Sequence, residues 1–566
     1  MTGVITATIF SKSPNSTQKV EMDATYELLY IDILKEVNRI PTAEITLIDG
    51  DVTKREFKVS NSDFFAPGQE IEIQLRYESN SQNETVFKGI IIKHSVRATL
   101  NQSCLNLYLK DAAIKLIQQR KNAVFPKKQG DTITDKQIIE EIIKSNQLQL
   151  GEIAETETEH LEMVQFYCTD WDFILSRAEA NSLWIIVNDG KISAMSPELL
   201  ETDLRGSVLL KAEYGLTTLY EFEMEANIQD QYSVVQSQAW DIKEQKLSKV
   251  IKAKDDYPLQ GNLKPKKLAT AIGADSFDLI AGGELVPQEL QAWADAKMNK
   301  TRLSMLRGRV SVPGFAGIKL GDVIEIAGIS DRFNGRTRVT GIRHQVSEDG
   351  WQTDVQFGLS ATWFSQNKDI IDTPASGLVP AINGLQIGIV EQYLEDPQKK
   401  LRVRVRVPAL ANAVNTEGGV VWARLAALDA GKERGTFFRP ELGDEVVLGF
   451  LDDDPRQAIV LGSMYSEKNA VPWTVTEKNN EKGIITRKKL KLFFNDEDDK
   501  ESIIIETPKG NTIILSDKEN EGIQILDQNK NTAIMNSDGI QLISDKDITI
   551  KAKGNITLEG KEIDIK

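Results

Sequence analysis

The chain has 566 residues, 40% hydrophobic and 27% charged, which is ordinary for a soluble globular protein and long enough for several cores. A net charge of −16 disfavours a general polyanion binder. The two cysteines, Cys104 and Cys168, and the three histidines, His94, His160 and His344, form no cluster of the kind that holds structural zinc. No apolar run approaches the ~18 residues of a membrane-spanning helix. The first residues lack the basic and apolar stretches of a secretory signal, so folding in the cytoplasm is expected.

Residues 20–110 read as strands, with 70–75 and 103–109 alternating apolar and polar residues as half-buried strands do. Residues 134–147 read as a helix. Thr134 and Gln137 fit a capping box, and Ile138, Ile139, Ile142 and Ile143 form one apolar stripe. A second helix is expected from Thr169, with Asp172 at the capping-box position. Strand 183–187, a turn at Asn188, Asp189 and Gly190, and a return strand follow as a hairpin. Pro287 opens a third helix over 287–304. Short strands then fill 307–359, and 372–380, with two prolines and Gly377, reads as a linker.

Residues 401–407 alternate apolar and basic residues. With the short strands around Val421, Val447 and Ile459 they fit a small five-stranded barrel of the OB type. After Phe494 no aromatic residue remains. Short isoleucine-rich segments recur instead, and Leu515 to Ile523, Ile540 to Ile548 and Ile548 to Ile556 are each eight apart. Such a period predicts a β-solenoid. Each segment offers too few inward apolar residues for one chain to close a good core. Three chains wound on a shared axis would bury them, so an obligate trimer is expected.

The barrel motifs run in order: Gly388 to Val390, Leu401 to Val405, Trp422 to Ala426, Ala430 and Gly431, Gly435 to Pro440, Gly443 to Val446, Asp454 and Pro455, and Val460 to Gly462. Upstream stand Phe166 to Arg177 with Glu179, then Leu320 to Asp322, Asn334 with Gly335, and Val339 to His344. In this order the pieces resemble the VgrG-type spike proteins of contractile injection systems, and the fused tail hub and spike of contractile phages. The resemblance implies a mainly β fold with an α+β hub: two hub β-barrels, an OB-fold barrel and a C-terminal intertwined trimeric β-helix needle. The implied domains are a hub over 1–371, with barrels at about 20–110 and 210–365 and a helix and hairpin insert at about 130–200. A linker at 372–383, the OB barrel at 384–470, a connector at 471–483 and the needle at 484–566 follow.

The same resemblance implies a homotrimer that meets an Hcp-like hexameric tail tube, baseplate proteins, a PAAR-type tip protein and possible effector cargo. It would be assembled in the bacterial cytoplasm and released as part of the injection particle, touching the target membrane only on firing. The trimer core of the needle is expected at Ile540, Leu542, Ile548, Ile550, Ile556 and Leu558, and tip docking at Ile563, Ile565 and Lys566. No enzyme activity, cofactor, metal or nucleic acid is expected, since puncture needs no catalytic residue. The competing reading is an OB barrel that binds nucleic acid or carbohydrate. Residues 384–470 carry 11 basic and 13 acidic residues, net −2, and the stripe Arg402, Arg404 and Arg406 lacks the interleaved aromatics that stack bases. His160, behind the acidic residues 155–159, reads as part of a solvated loop. His94 and His344 read as structural, the two cysteines as buried or half-buried thiols, and 452–454 as a hairpin turn.

Overall fold

Alternating side chains give the N-terminal part of the chain seven strands: β1 (Ile5–Lys12), β2 (Val20–Glu21), β3 (Leu28–Glu36), β4 (Thr42–Ile48), β5 (Glu70–Tyr77), β6 (Glu84–Ala98) and β7 (Ser103–Lys110). Every second residue of a strand faces one side. Ile31, Ile33, Ile45, Leu47, Ile73 and Leu107 therefore converge on one core. The computed structural model describes all residues except 1–3, 15, 80–81, 101, 129, 200, 217–218, 242, 259, 368–373, 394–395, 412–415 and 566. Asp372 and Thr373 of the expected linker, and Lys566 of the expected tip, lie outside the described residues. The chain divides into two units, residues 1–372 and 373–566.

The first unit continues with helices α1 (Asp135–Ser145) and α2 (Asp170–Ala180) and the hairpin β8 (Trp184–Asn188) and β9 (Lys191–Met195). Next come β10 (Glu221–Ala226), α3 (Pro287–Met305), β11 (Leu306–Pro313), β12 (Val323–Ala327), β13 (Gly335–Ser347) and β14 (Gly350–Phe357). One 13-stranded sheet runs β10-β11-β14-β13-β3-β4-β7-β6-β5-β1-β2, with β12 and strand Leu210–Glu213 branching from it. The two stretches expected as hub barrels share this one sheet. The edge of β3 that would close the first stretch on itself is taken by β13, with Ile31 opposite Val346 and Ile33 opposite His344. Val346 and Trp351 of the second stretch are buried in the core of the first. Across the same seam the Arg343 guanidinium donates to the Asp32 carboxylate, Nε to Oδ1 at 2.8 Å.

The insert is held by its helix starts. Thr134 Oγ1 accepts from the Gln137 amide, and the Thr134 amide donates to Gln137 Oε1 at 2.9 Å, completing the capping box. The Ile138, Ile139, Ile142 and Ile143 stripe packs against Phe173 and Ile174 of α2 and Ile185 and Ile192 of the hairpin. Asp135, fully buried at the start of α1, accepts from Arg177 Nε at 2.6 Å, Asn181 Nδ2 at 2.8 Å and His160 Nε2 at 3.0 Å. These donors hold its carboxyl well below the usual carboxylate range, against burial, which pushes it up. His160 is thus a buried structural partner of Asp135. The solvated-loop reading fails because the acidic stretch before it does not show that the Asp135 carboxylate waits in the fold.

His344, on β13, is buried and gives Nδ1 to Thr353 Oγ1 at 2.9 Å. Burial pushes its imidazole down to about 3, and nearby Lys35 adds to this. His94 is held by Ser60 Oγ at 2.7 Å and the Phe65 carbonyl at 3.0 Å. Both cysteines are half-buried free thiols.

Replacing Asp135 by Ala strands the Arg177 charge and is expected to cost roughly 3–5 kcal/mol in urea unfolding of the first unit's transition. His344 is neutral in the fold and titrates near 6.5 when unfolded, so the stability it contributes is complete above pH 6.5 and is lost as pH falls toward about 3. Urea midpoints across that window should fall with acid, and His344→Gln should flatten the slope.

Candidate assembly interface

In the second unit, strands β15 (Gln386–Gln392), β16 (Val403–Val407), β17 (Gly419–Leu425), β18 (Glu445–Phe450) and β19 (Ala458–Ser463) close into a barrel in the order β15-β16-β17-β19-β18. Val403, Val405, Val407, Ala423, Val446, Leu448 and Val460 fill it. The arginines between those valines point outward and are used within the barrel. Arg402 Nη2 donates to Asp396 Oδ1 at 2.7 Å, and its guanidinium lies 5.5 Å from the Trp422 ring centre. Arg404 donates to Gln392 Oε1 and Arg406 to the Glu417 carbonyl, each at 2.9 Å. The stripe is therefore engaged by its neighbours rather than set out for phosphates. Residues 452–454 make a turn: Asp452 and Asp453 take positive φ, and Asp454 accepts from Arg456 Nη2 at 2.6 Å.

Beyond the barrel, β20 (Glu481–Ile485), β21 (Lys491–Asn495), β22 (Ser502–Glu506), β23 (Thr512–Ser516), β24 (Gly522–Leu526), β25 (Thr532–Asn536) and β26 (Gly539–Ile543) form a seven-stranded sheet in sequence order, each antiparallel to the next. The chain reverses after every five-residue strand. Lys489, Asp499, Gly510, Asn520 and Lys530 take positive φ in the turns, a conformation glycine and asparagine adopt most readily. In the turn after β24, the Asp527 amide donates to the Asn531 carbonyl at 3.0 Å. Within one chain these segments form an antiparallel meander.

The register lines up two apolar ladders on one face. Phe494, Ile503, Leu515, Ile523, Met535 and Ile540 lie directly opposite one another from strand to strand. Leu492, Ile505, Ile513, Ile525, Ala533 and Leu542 do the same. The residues of the first ladder are 37% to 73% exposed, and no residue of β20–β26 is buried. On the other face Phe493, Ile504, Ile514 and Ile534 are half-buried. Of the expected core residues, Ile540 and Leu542 sit on β26 in these ladders. Ile548, Ile550, Ile556 and Leu558, with Ile563 and Ile565 of the expected tip, fall after the last strand and are 52% to 85% exposed. The single chain does not bring them together. The ladder residues Ile503, Ile505, Ile513, Leu515, Ile523, Ile525 and Met535 fall in the recurring segments read from the sequence, but none was placed in the expected trimer core. Among the described residues no cluster of His, Cys, Asp and Glu could hold a metal ion, and no helix is long and apolar enough to cross a membrane.

The second unit thus joins a small closed barrel to an isoleucine-laddered meander. Residues 386–465 match the type VI secretion system/phage-baseplate injector OB domain. The chain belongs to the family defined by the Alg8 N-terminal domain, whose model matches residues 12–348. It is similar to the type VI secretion system spike protein VgrG1a of Pseudomonas aeruginosa, 26% identical over 183 residues, 30% of this chain and 28% of that protein. It is also similar to VgrG5 of the same organism, 39% identical over 150 residues, 24% of this chain and 19% of that protein. The chain thus spans less than a third of the length of these relatives. Among solved structures, a chain of the Francisella PdpA-VgrG complex aligns with a TM-score of 0.41 and 10% identity, over 95% of this chain and 80% of that chain.

The barrel's closure is testable at Gly388. A Cβ there would meet Val405 Cγ1 at 2.3 Å and Leu448 Cδ1 at 3.0 Å. Gly388→Ala should overpack the barrel and lower its stability by about 1–3 kcal/mol in urea unfolding, with the hub transition unmoved.

Proposed function

We propose that this chain is the central spike of a contractile injection machine. In this reading it is a homotrimer that joins an Hcp-like tail tube and its baseplate to a puncturing needle, and the needle carries a PAAR-type tip protein. The observation that carries the reading is the pair of exposed apolar ladders on a one-layer sheet, directly downstream of an injector OB domain. A lone sheet with an apolar face needs a second layer. Two further copies of the same sheet supply it with matching spacing and leave the charged turns outside.

In the trimer, Ile548, Ile550, Ile556 and Leu558 would continue the axis below β26, each pairing with copies of itself. Ile563, Ile565 and Lys566 would form the blunt end that meets the tip protein. Charge is interspersed along the needle, with 13 basic and 16 acidic residues over 484–566, which discourages edge-to-edge association of finished needles. Work would come from sheath contraction, and the spike would concentrate that force on a narrow rod. No step requires a catalytic group.

Chemical cross-linking should give a three-chain species for the wild type. Ile513→Asp and Ile550→Asp should run as single chains, because three carboxylates would meet in an apolar core. Gln524→Glu, on the opposite face of the sheet, should stay trimeric. Trimers of both aspartate variants at wild-type yield would overturn the assignment of this face to the axis.

A further inference from the structure

The hub holds a lysine-lined cleft that the spike reading does not use. Its volume is about 680 Å³, and Lys12, Lys19, Lys88, Lys115, Lys191 and Lys319 line it. Three carboxylates share the wall: Glu70, Glu72 and Asp189. Two are already matched, since Lys12 Nζ lies 2.7 Å from Glu70 Oε2 and Lys19 pairs with Glu72. Lys88 stands 3.8 Å from Glu72. Among the described residues no ion pair within 4.0 Å is formed by the Lys115, Lys191 or Lys319 ammonium, and Asp322 meets Lys319 through the Lys319 backbone amide. The cleft is therefore a basic concavity on a chain of net charge −16.

A second cavity of about 230 Å³ shares Asn188, Asp189 and Lys319 with the cleft wall. Lys35 and His344 line it. Lys35 occupies the inward position of β3 that follows Ile31 and Ile33, and its side chain is 9% exposed. Its ammonium donates one hydrogen bond, to Asn188 Oδ1 at 2.9 Å, and lies 3.7 Å from Asp189 Oδ1. An ammonium has three donors; Asn188 takes one and Asp189 faces another, which leaves one for a ligand at the cavity. His344 meets Thr353 through Nδ1, and among the described residues no hydrogen bond is made by its Nε2. A buried cation with an unspent donor, at the back of a lysine-lined cleft, is a built site for an anion.

We propose that this cleft docks a carboxylate-bearing peptide segment of a partner protein, one acidic side chain of which enters the inner cavity and pairs with Lys35 and Lys319. The inner cavity has room for one such side chain, a water taking about 30 Å³. The three wall carboxylates oppose a polymer that carries a charge on every unit. Phe10 is the only aromatic in the two linings, which leaves no platform for stacked bases. A peptide can set carboxylates against the lysines and backbone amides against Glu70, Glu72 and Asp189.

The test uses the full chain and a fluorescein-labelled hexaglutamate peptide, read by fluorescence anisotropy, with hexathymidylate as comparison. Hexaglutamate should bind saturably at low ionic strength and weaken as salt screens the lysines. Lys35→Met, which keeps side-chain length without charge, should weaken binding by about tenfold or more, as loss of a buried charge-assisted contact does. Lys319→Ala, at an exposed position, should weaken it with an unchanged melting temperature, so the test stands even if Lys35→Met folds poorly. Absence of saturable hexaglutamate binding would overturn the proposal. So would wild-type affinity in Lys319→Ala, or hexathymidylate binding the same lysines more tightly. The readout does not depend on whether the terminal sheet forms a trimer.

Discussion

A β-sheet one layer thick can bury neither of its faces. Every other part of this chain satisfies that constraint internally. The hub sheet packs on two apolar cores and the insert on a third, and the barrel closes on nine buried apolar residues. Strands β20–β26 do not, and they leave two ladders of large apolar side chains in water. Cross-strand neighbours of this kind stabilise a sheet by only about 0.2–1 kcal/mol per pair, so the meander depends on a layer that the chain itself lacks. Self-association around the ladder face is the simplest way to provide one.

Charge plays the opposite part in the hub, where it fixes elements in place. Asp135 ties α1 to α2 and to His160 through four hydrogen bonds, and Arg343 clips β13 to β3. Arg302, almost wholly buried on α3, donates to Asp255, Gln231 and the Tyr232 carbonyl. Buried ions of this kind add little net stability but penalise any other arrangement of the same elements. Lys35 departs from the pattern, because its partners do not use up its donors.

What could be read from the sequence was local. The Thr134 and Gln137 capping box, the helix that starts after Thr169, the hairpin about Asp189 and Gly190, and the helix opened by Pro287 all depend on residues within one turn of each other. The barrel was legible because its glycines and valines follow a fixed order. The joining of β3 to β13 was not, because it pairs residues some three hundred positions apart and nothing local specifies which edge closes. His160 and Lys35 were misplaced or passed over for the same reason: their partners arrive from distant segments. In the terminal region the expected core was placed at 540–558, whereas the alternation that builds the ladders begins near Phe494.

The most direct test of the account is the native mass of the wild-type chain, by light scattering after size exclusion, in buffer and in mild urea. The account predicts a species of three chains that persists in mild urea. A single-chain mass, with the amides of β20–β26 still protected from hydrogen exchange, would contradict it, since the one-layer sheet would then stand without a partner.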